Sequence, residues 1–151
     1  MMFTDLTGRE LAIVEKAGVL KSFTMNTPII NEGETGSSFF FIVSGRVEIR
    51  KRLEKGEFRT LVELGPAEMF GEIGFLGEEK RTASVVVTED CHVLEFQRES
   101  MMSLLSFHSE IAAKLYYGMA RELAQRLAKS DEALRDAIVW SMGTKAGAQE
   151  S

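Results

Sequence analysis

Apolar and polar positions follow two different rhythms along this chain, and the rhythm changes near Phe96. From Thr27 to Phe96, apolar residues come in short runs rich in β-branched and aromatic side chains, punctuated by Gly33, Gly36, Gly45, Gly56, Gly65, Gly71, Gly74 and Gly77. Short runs closed by turn residues predict strands with tight turns. The strands expected are 27–30, 38–43, 46–53, 58–64, 82–87 and 91–96, with Glu54-Lys55-Gly56-Glu57 turning a hairpin. Strands spaced this regularly suggest a closed or double-sheet β-roll. Ahead of them, Thr7-Gly8-Arg9-Glu10 has the spacing of a capping box. Leu11, Val14 and Glu15 continue at helical spacing to Gly18, so the chain opens with a short helix.

After Phe96 glycine becomes scarce and helix formers dominate. Residues 100–107 read as one short helix and 109 to about 140 as a long one, interrupted only by Gly118. Ile111, Leu115, Met119, Leu123 and Leu127 recur every four residues, followed by Leu134 and Ile138. A second register, Ala113, Tyr116, Ala120, Leu123, Leu127, Ser130, Leu134 and Ala137, has the alternating spacing of a coiled-coil seam. A helix of about 30 residues is about 45 Å long, more than a small roll can cover. One stretch is therefore expected to pack on the roll and another on a second copy of the chain. Residues 143–151 read as a flexible tail.

Composition narrows the function classes. The chain has 151 residues, 44% apolar and 27% charged, enough for one folded core but too few for two ordinary domains. The longest unbroken apolar run is Phe39–Val43, against the roughly 20 residues of a bilayer helix, and Met1-Met2-Phe3-Thr4-Asp5 lacks the layout of a signal peptide. A cytoplasmic protein with no membrane partner is expected. Eighteen basic against 23 acidic residues leave a net charge of −5, the wrong sign for a domain that neutralises DNA phosphates. The acidity sits in residues 1–107, with 12 basic and 17 acidic side chains, while 108–151 carry six of each. Direct DNA binding is not expected. Cys91 alone makes neither an intrachain disulfide nor a cysteine-based metal site, and His92 and His108 are too far apart for a short ligand motif, so no metal is expected. His92 reads as a sheet histidine, Arg50-Lys51-Arg52 as a solvated hairpin, and the eight methionines as core and helix filler.

Candidate chemistry is concentrated in Phe70-Gly71-Glu72-Ile73-Gly74-Phe75-Leu76-Gly77-Glu78-Glu79-Lys80-Arg81-Thr82-Ala83-Ser84-Val85. It reads as a strand end, a glycine that admits close backbone approach, one or two helical turns from Glu72, a polar turn, and an arginine opening the next strand. Backbone N–H groups with a guanidinium in a nearly dry pocket can hold a singly charged phosphate without a metal. Taken singly, Glu72 reads as a helix-terminal carboxylate and Arg81 as a surface ion-pair partner.

This segment resembles the phosphate-binding cassette of the cyclic nucleotide-binding domain family. A second stretch upstream, Ile29-Ile30-Asn31-Glu32-Gly33-Glu34-Thr35-Gly36-Ser37-Ser38-Phe39-Phe40-Phe41-Ile42-Val43-Ser44-Gly45, is similar to another pattern of that family, about 25 residues earlier. The likeness covers roughly residues 5–140 and resembles the sensor domain of the bacterial catabolite activator type. It implies a mainly β fold with flanking helices (α+β): an eight-stranded double-sheet β-roll, or jelly roll, followed by a short helix and a long C-terminal helix. Residues 1–107 would form the roll with its leading helix, 108–142 the ligand cap and dimer seam, and 143–151 the tail. Family roles carried onto this sequence place Arg81, the backbone amides of Gly71 and Ala83, and the Thr82 hydroxyl on the cyclic phosphate, with Glu72 on the ribose 2′-hydroxyl. Tyr116, Tyr117, Arg121 and Gln125 of the long helix would meet the base. Two positions depart from the family: Phe75 replaces an aliphatic residue, and Lys80 stands where eukaryotic members often have proline.

The resemblance thus implies a stand-alone cyclic nucleotide sensor without cofactor or enzymatic activity, binding cAMP in preference to cGMP. It would dimerise through the long helix and signal to an effector protein that the sequence does not identify. The bacterial members often carry a C-terminal helix-turn-helix, for which the chain leaves no length. Two alternatives stand beside this reading. One is a repurposed roll that binds another small anion or acts only in protein association; the other is a cupin-type enzyme, disfavoured by the shortage of histidine.

Overall fold

The computed structural model describes residues 5–77 and 80–150, without the side chains of residues 130 and 132–150. Helix α1 (Gly8–Ala17) begins at the expected capping box. The Thr7 hydroxyl accepts from the Glu10 amide at 3.2 Å, and the Glu10 carboxylate accepts from the Thr7 amide at 3.0 Å. Lys114 Nζ also donates to that carboxylate at 2.7 Å. This bond and then the Thr7 amide hold Glu10 below the ordinary carboxyl range.

Six strands follow: β1 (Gly18–Phe23), β2 (Pro28–Ile30), β3 (Phe39–Arg52), β4 (Phe58–Leu64), β5 (Met69–Phe70) and β6 (Ser84–Phe96), with a short helix α2 (Glu72–Leu76) between the last two. All pair antiparallel, in the order β1-β6-β3-β4, with β2 added to β6 and β5 to β3. The two expected pairs of strands, 38–43 with 46–53 and 82–87 with 91–96, are instead two continuous strands of 14 and 13 residues. Their mutual register shifts between Ile42 and Val47, so the β3/β6 ribbon bends there. One end of the ribbon pairs with β1 and β5 and the other with β2 and β4, which gives the two sheets of the roll. Counted by sheet, the halves of β3 and β6 supply the eight segments that the resemblance implied. Strand β1 lay outside the sequence expectation, and of β5 only the strand end at Phe70 was expected.

Strand alternation splits the core in two. Phe39 faces the helices, among Phe75, Phe96, Met101, Leu115 and Met119, while its neighbour Phe40 faces the roll interior, among Ile42, Val47, Phe70, Val85 and Val93. Phe39 stacks on Phe96 and meets Phe75 edge-on, both at 4.9 Å between centroids, so Phe75, the family departure, is a core residue. Cys91 lies in the interior layer, where burial and then the Asp90 carboxylate push its thiol above the ordinary range.

Helix α3 (Arg98–Phe107) starts two residues earlier than expected, and α4 (Ser109–Glu150) continues through residues 143–150, the span expected to be a flexible tail. Ile111, Leu115 and Met119 are buried against the roll, whereas Ala113, Tyr116 and Ala120 of the second register are exposed. The side chains of Ser130, Leu134, Ala137 and Ile138 lie outside the described residues.

The ribbon's bend depends on Gly45. Its φ is +89°, and a Cβ there would stand 2.4 Å from the Asp90 carbonyl oxygen. Gly45→Ala is expected to lower the unfolding free energy by about 2–5 kcal/mol, from a left-handed backbone and overpacking together. Urea titration measures this, and a loss below about 1 kcal/mol would show that the bend tolerates a side chain.

Candidate functional site

The site is assembled around a turn that only glycine makes easily. Strand β5 ends at Phe70, held by stacking on Phe40 at 4.9 Å, and Gly71 at φ +82° turns the chain into α2. Phe75 anchors α2 on the helix-side core, which leaves Glu72 pointing inward, 3% exposed.

Arg81 approaches from the other side of the loop and is 9% exposed. Its Nη1 donates to the Gly71 carbonyl at 3.1 Å and its Nη2 to the Ser38 carbonyl at 2.8 Å. The remaining guanidinium N–H groups are available to an anion. Burial pulls the Arg81 pKa below the ordinary arginine value, and the Glu95 and then the Glu72 carboxylates oppose that pull. Gly36 and Gly74 flank the guanidinium so closely that a Cβ would stand 2.8 Å from Nε at the first and 2.5 Å from Nη1 at the second. The upstream motif reaches this place through two backbone bonds of 2.8 Å each, Arg81 amide to Glu34 carbonyl and Gly33 amide to Arg81 carbonyl. Two motifs separated in sequence therefore build one cradle.

Gly71, Glu72, Arg81, Thr82 and Ala83 all line one cavity of about 570 Å³. Its walls are apolar: Ile30, Ile49, Val62 and Val85 from the sheets, and Leu123 and Leu127 from α4. The Thr82 side is tied down by Lys51 Nζ, which donates to the Thr82 carbonyl at 2.7 Å.

Helix α4 brings a residue that the sequence reading did not select. Arg126 lines the cavity, its Nη1 donating to Glu72 Oε1 at 2.7 Å and its Nη2 to the Met69 carbonyl. Glu72 Oε2 is buried and has no hydrogen-bond partner among the described residues. Such an oxygen is costly unless a donor reaches it.

The four expected base contacts do not line this cavity. The Tyr116 hydroxyl donates to the Met102 sulfur at 3.5 Å, two turns closer to the start of α4, while Tyr117 lies under the Arg121 guanidinium at 5.8 Å and Gln125 is exposed. Helical periodicity is the reason: Met119, Leu123 and Arg126 share the face turned to the roll, and residues 117, 121 and 125 lie away from it. Chemically, the cavity suits a ligand with one anionic group, a hydroxyl donor and a part that packs on apolar side chains.

Comparison with known proteins agrees with this description. The family model of the cyclic nucleotide-binding domain matches residues 20–108. The "Cyclic AMP receptor protein" of Thermus thermophilus is 31% identical over 130 residues, covering 86% of this chain and 58% of that protein. The chain is also 30% identical to "cGMP-dependent protein kinase, isozyme 1" of Drosophila melanogaster, over 89% of this chain but 18% of the kinase. Among solved structures, the Thermus thermophilus Catabolite Activator Protein superposes with a TM-score of 0.79 at 30% identity, covering 89% of this chain and 61% of that one. The chain thus spans little more than half the length of its bacterial relative. Among the described residues, no helix is long and apolar enough to cross a membrane.

The Arg126–Glu72 bridge ties α4 to the cassette, and truncating it strands a buried carboxylate. Because the Arg126 side chain is 26% exposed, solvent screening reduces the usual cost, and Arg126→Ala is expected to lower stability by about 1–3 kcal/mol. Denaturant unfolding decides it; a change below about 0.5 kcal/mol would mean that the bridge does not hold the helix.

Proposed function

The chain belongs to the cyclic nucleotide-binding domain family, and we propose that it is a sensor of a purine 3′,5′-cyclic nucleotide, not a catalyst. The observation that carries this reading is the pairing, in one cavity, of the unspent guanidinium donors of Arg81 with the unpartnered buried oxygen of Glu72. In this reading Arg81 takes the cyclic phosphate, together with the backbone amides of Gly71 and Ala83 and the Thr82 hydroxyl. Glu72 Oε2 accepts the ribose 2′-hydroxyl, and the base lies against the apolar wall that includes Leu123 and Leu127 of α4. We place cAMP ahead of cGMP because the relative bearing cyclic AMP in its name is matched over 58% of its own length, whereas the cGMP-dependent kinase is matched over 18% of its own. The ligand would be met in the cytoplasm.

Output passes through α4. Ligand closing the cavity against this helix favours one helix position over another, and only such differential contacts make a switch. The exposed register Ala113, Tyr116 and Ala120, with Leu127 at 63% exposure, supports a homodimer seam on the same helix. A separate effector protein would read the arrangement of the pair.

Titration calorimetry with cAMP and cGMP tests the ligand. Micromolar or tighter binding is expected, Arg81→Ala should weaken it by about 2–5 kcal/mol, and a 2′-deoxy nucleotide should bind clearly worse. No heat with either nucleotide would overturn the sensor, and equal affinity for the deoxy analogue would remove the role of Glu72. For the seam, sedimentation at micromolar concentration should give twice the mass of one chain, and a monomer mass would refute the dimer.

A further inference from the structure

A second buried carboxylate stands behind the guanidinium and takes no part in the ligand roles proposed above. Glu95 of β6 is 8% exposed, and period-two alternation puts it on the same face as Cys91 and Val93. A carboxylate this deep needs partners to remain ionised. One oxygen has a hydrogen-bond donor, and the other, without a hydrogen bond among the described residues, has an ion-pair partner. Ser38 Oγ donates to Oε2 at 2.9 Å, and Lys21 of β1 forms an ion pair with Oε1 from the solvent side.

Ser38 is also the residue whose carbonyl receives Arg81 Nη2 at 2.8 Å. Its side chain answers to Glu95 and its main chain to Arg81, and Ser38 itself is 9% exposed. The guanidinium fork is therefore held between two carbonyls, one belonging to the turn at Gly71 and one to a residue anchored by Glu95. Glycine packing at positions 36 and 74 limits where the fork can lie but supplies no directional bond to it. Direction comes from the carbonyls, and the Ser38 carbonyl stays in place because its own hydroxyl is bonded.

We infer that Glu95 is a positioning residue for the phosphate-binding guanidinium of Arg81 and acts through Ser38. This rests on the sensor reading for its ligand, but not for its structural content. Glu95 touches no part of the cavity; its effect is to aim the donors that do.

Nuclear magnetic resonance of the ligand-free, ¹⁵N-labelled full chain tests the structural part, with the Arg81 Nε–H signal assigned by its loss in Arg81→Lys. Glu95→Ala and Ser38→Ala should each move that signal and speed its solvent exchange, whereas Glu95→Gln, which keeps an acceptor for the Ser38 hydroxyl, should restore it. In parallel cAMP titrations both alanine variants should bind about tenfold more weakly, the double variant no worse than either alone, and Glu95→Gln within about threefold of the parent. An unchanged Arg81 signal in a folded Glu95→Ala chain overturns the inference, as do losses that simply add in the double variant. Should Glu95→Ala fail to fold, Ser38→Ala decides by the same criteria. A parent chain that binds neither nucleotide refutes the sensor reading instead, and the Arg81 signal still decides the role of Glu95.

Discussion

An arginine side chain cannot relinquish its charge, so placing one where it is 9% exposed obliges the surrounding structure to answer it. Much of the local architecture around Arg81 can be understood as that answer. Two carbonyls take its donors, two carboxylates lie near enough to oppose the loss of hydration, and glycines at 36, 71 and 74 leave room for the planar group. None of these partners is close to Arg81 in sequence except those of the cassette itself. The antiparallel pairing of β3 with β6 and the backbone bonds between residues 33–34 and Arg81 bring the others in. The roll is thus a device for delivering distant polar groups to one cation.

The same accounting separates the ends of the cavity. Arg81 is surrounded by groups that neutralise it without saturating its donors, which leaves a place for one more anion. Glu72 is half satisfied by Arg126 and keeps one oxygen unpaired. A buried polar atom without a partner is destabilising by itself, so a site with such an atom holds free energy that a suitable donor releases on binding. The unspent guanidinium donors and the unpartnered carboxylate belong to residues that line one cavity whose other walls are apolar, the combination expected of a ligand site and not of a structural ion-pair network.

Both motifs could be read from the sequence because each depends on glycine. Gly36, Gly71 and Gly74 are where backbone passes closest to the guanidinium, so the constraint is written into the residue type. The leading helix was equally legible, since Thr7 and Glu10 satisfy each other locally. Strand β1 was not, because four of its six residues are exposed and Val19, Leu20, Lys21 and Ser22 show no alternation. Strand β5, two residues long, is defined by pairing with Phe40 and Phe41 and not by any pattern of its own. On α4, choosing residues by their ability to stack or to hydrogen-bond led to Tyr116, Tyr117, Arg121 and Gln125. The core register that recurs every four residues already pointed elsewhere: Met119 and Leu123 are buried or half-buried on the face that next presents Arg126. Side-chain chemistry nominated the residues, and helix phase decided between them.

That phase also gives the proposed sensor a physical link between the cavity and the helix. Glu72 belongs to the cassette and lines the cavity, but one of its oxygens is held by α4 and the other is buried without a hydrogen-bond partner among the described residues. A donor arriving at Oε2 draws charge from the carboxylate and so weakens its bond to Arg126, while any motion that withdraws Arg126 leaves the carboxylate with more to offer the ligand. Linkage requires these effects to be reciprocal in free energy. The Met69 carbonyl, which accepts from the other nitrogen of Arg126, sits in β5, two residues before the turn at Gly71. In the proposed sensor, helix position and site occupancy would meet at this guanidinium and at Leu123 and Leu127, which line the same cavity. A strong bridge would make the helix indifferent to the ligand, and a negligible one would leave it unaware. The Arg126 side chain is 26% exposed, so solvent screens the bridge and reduces its strength.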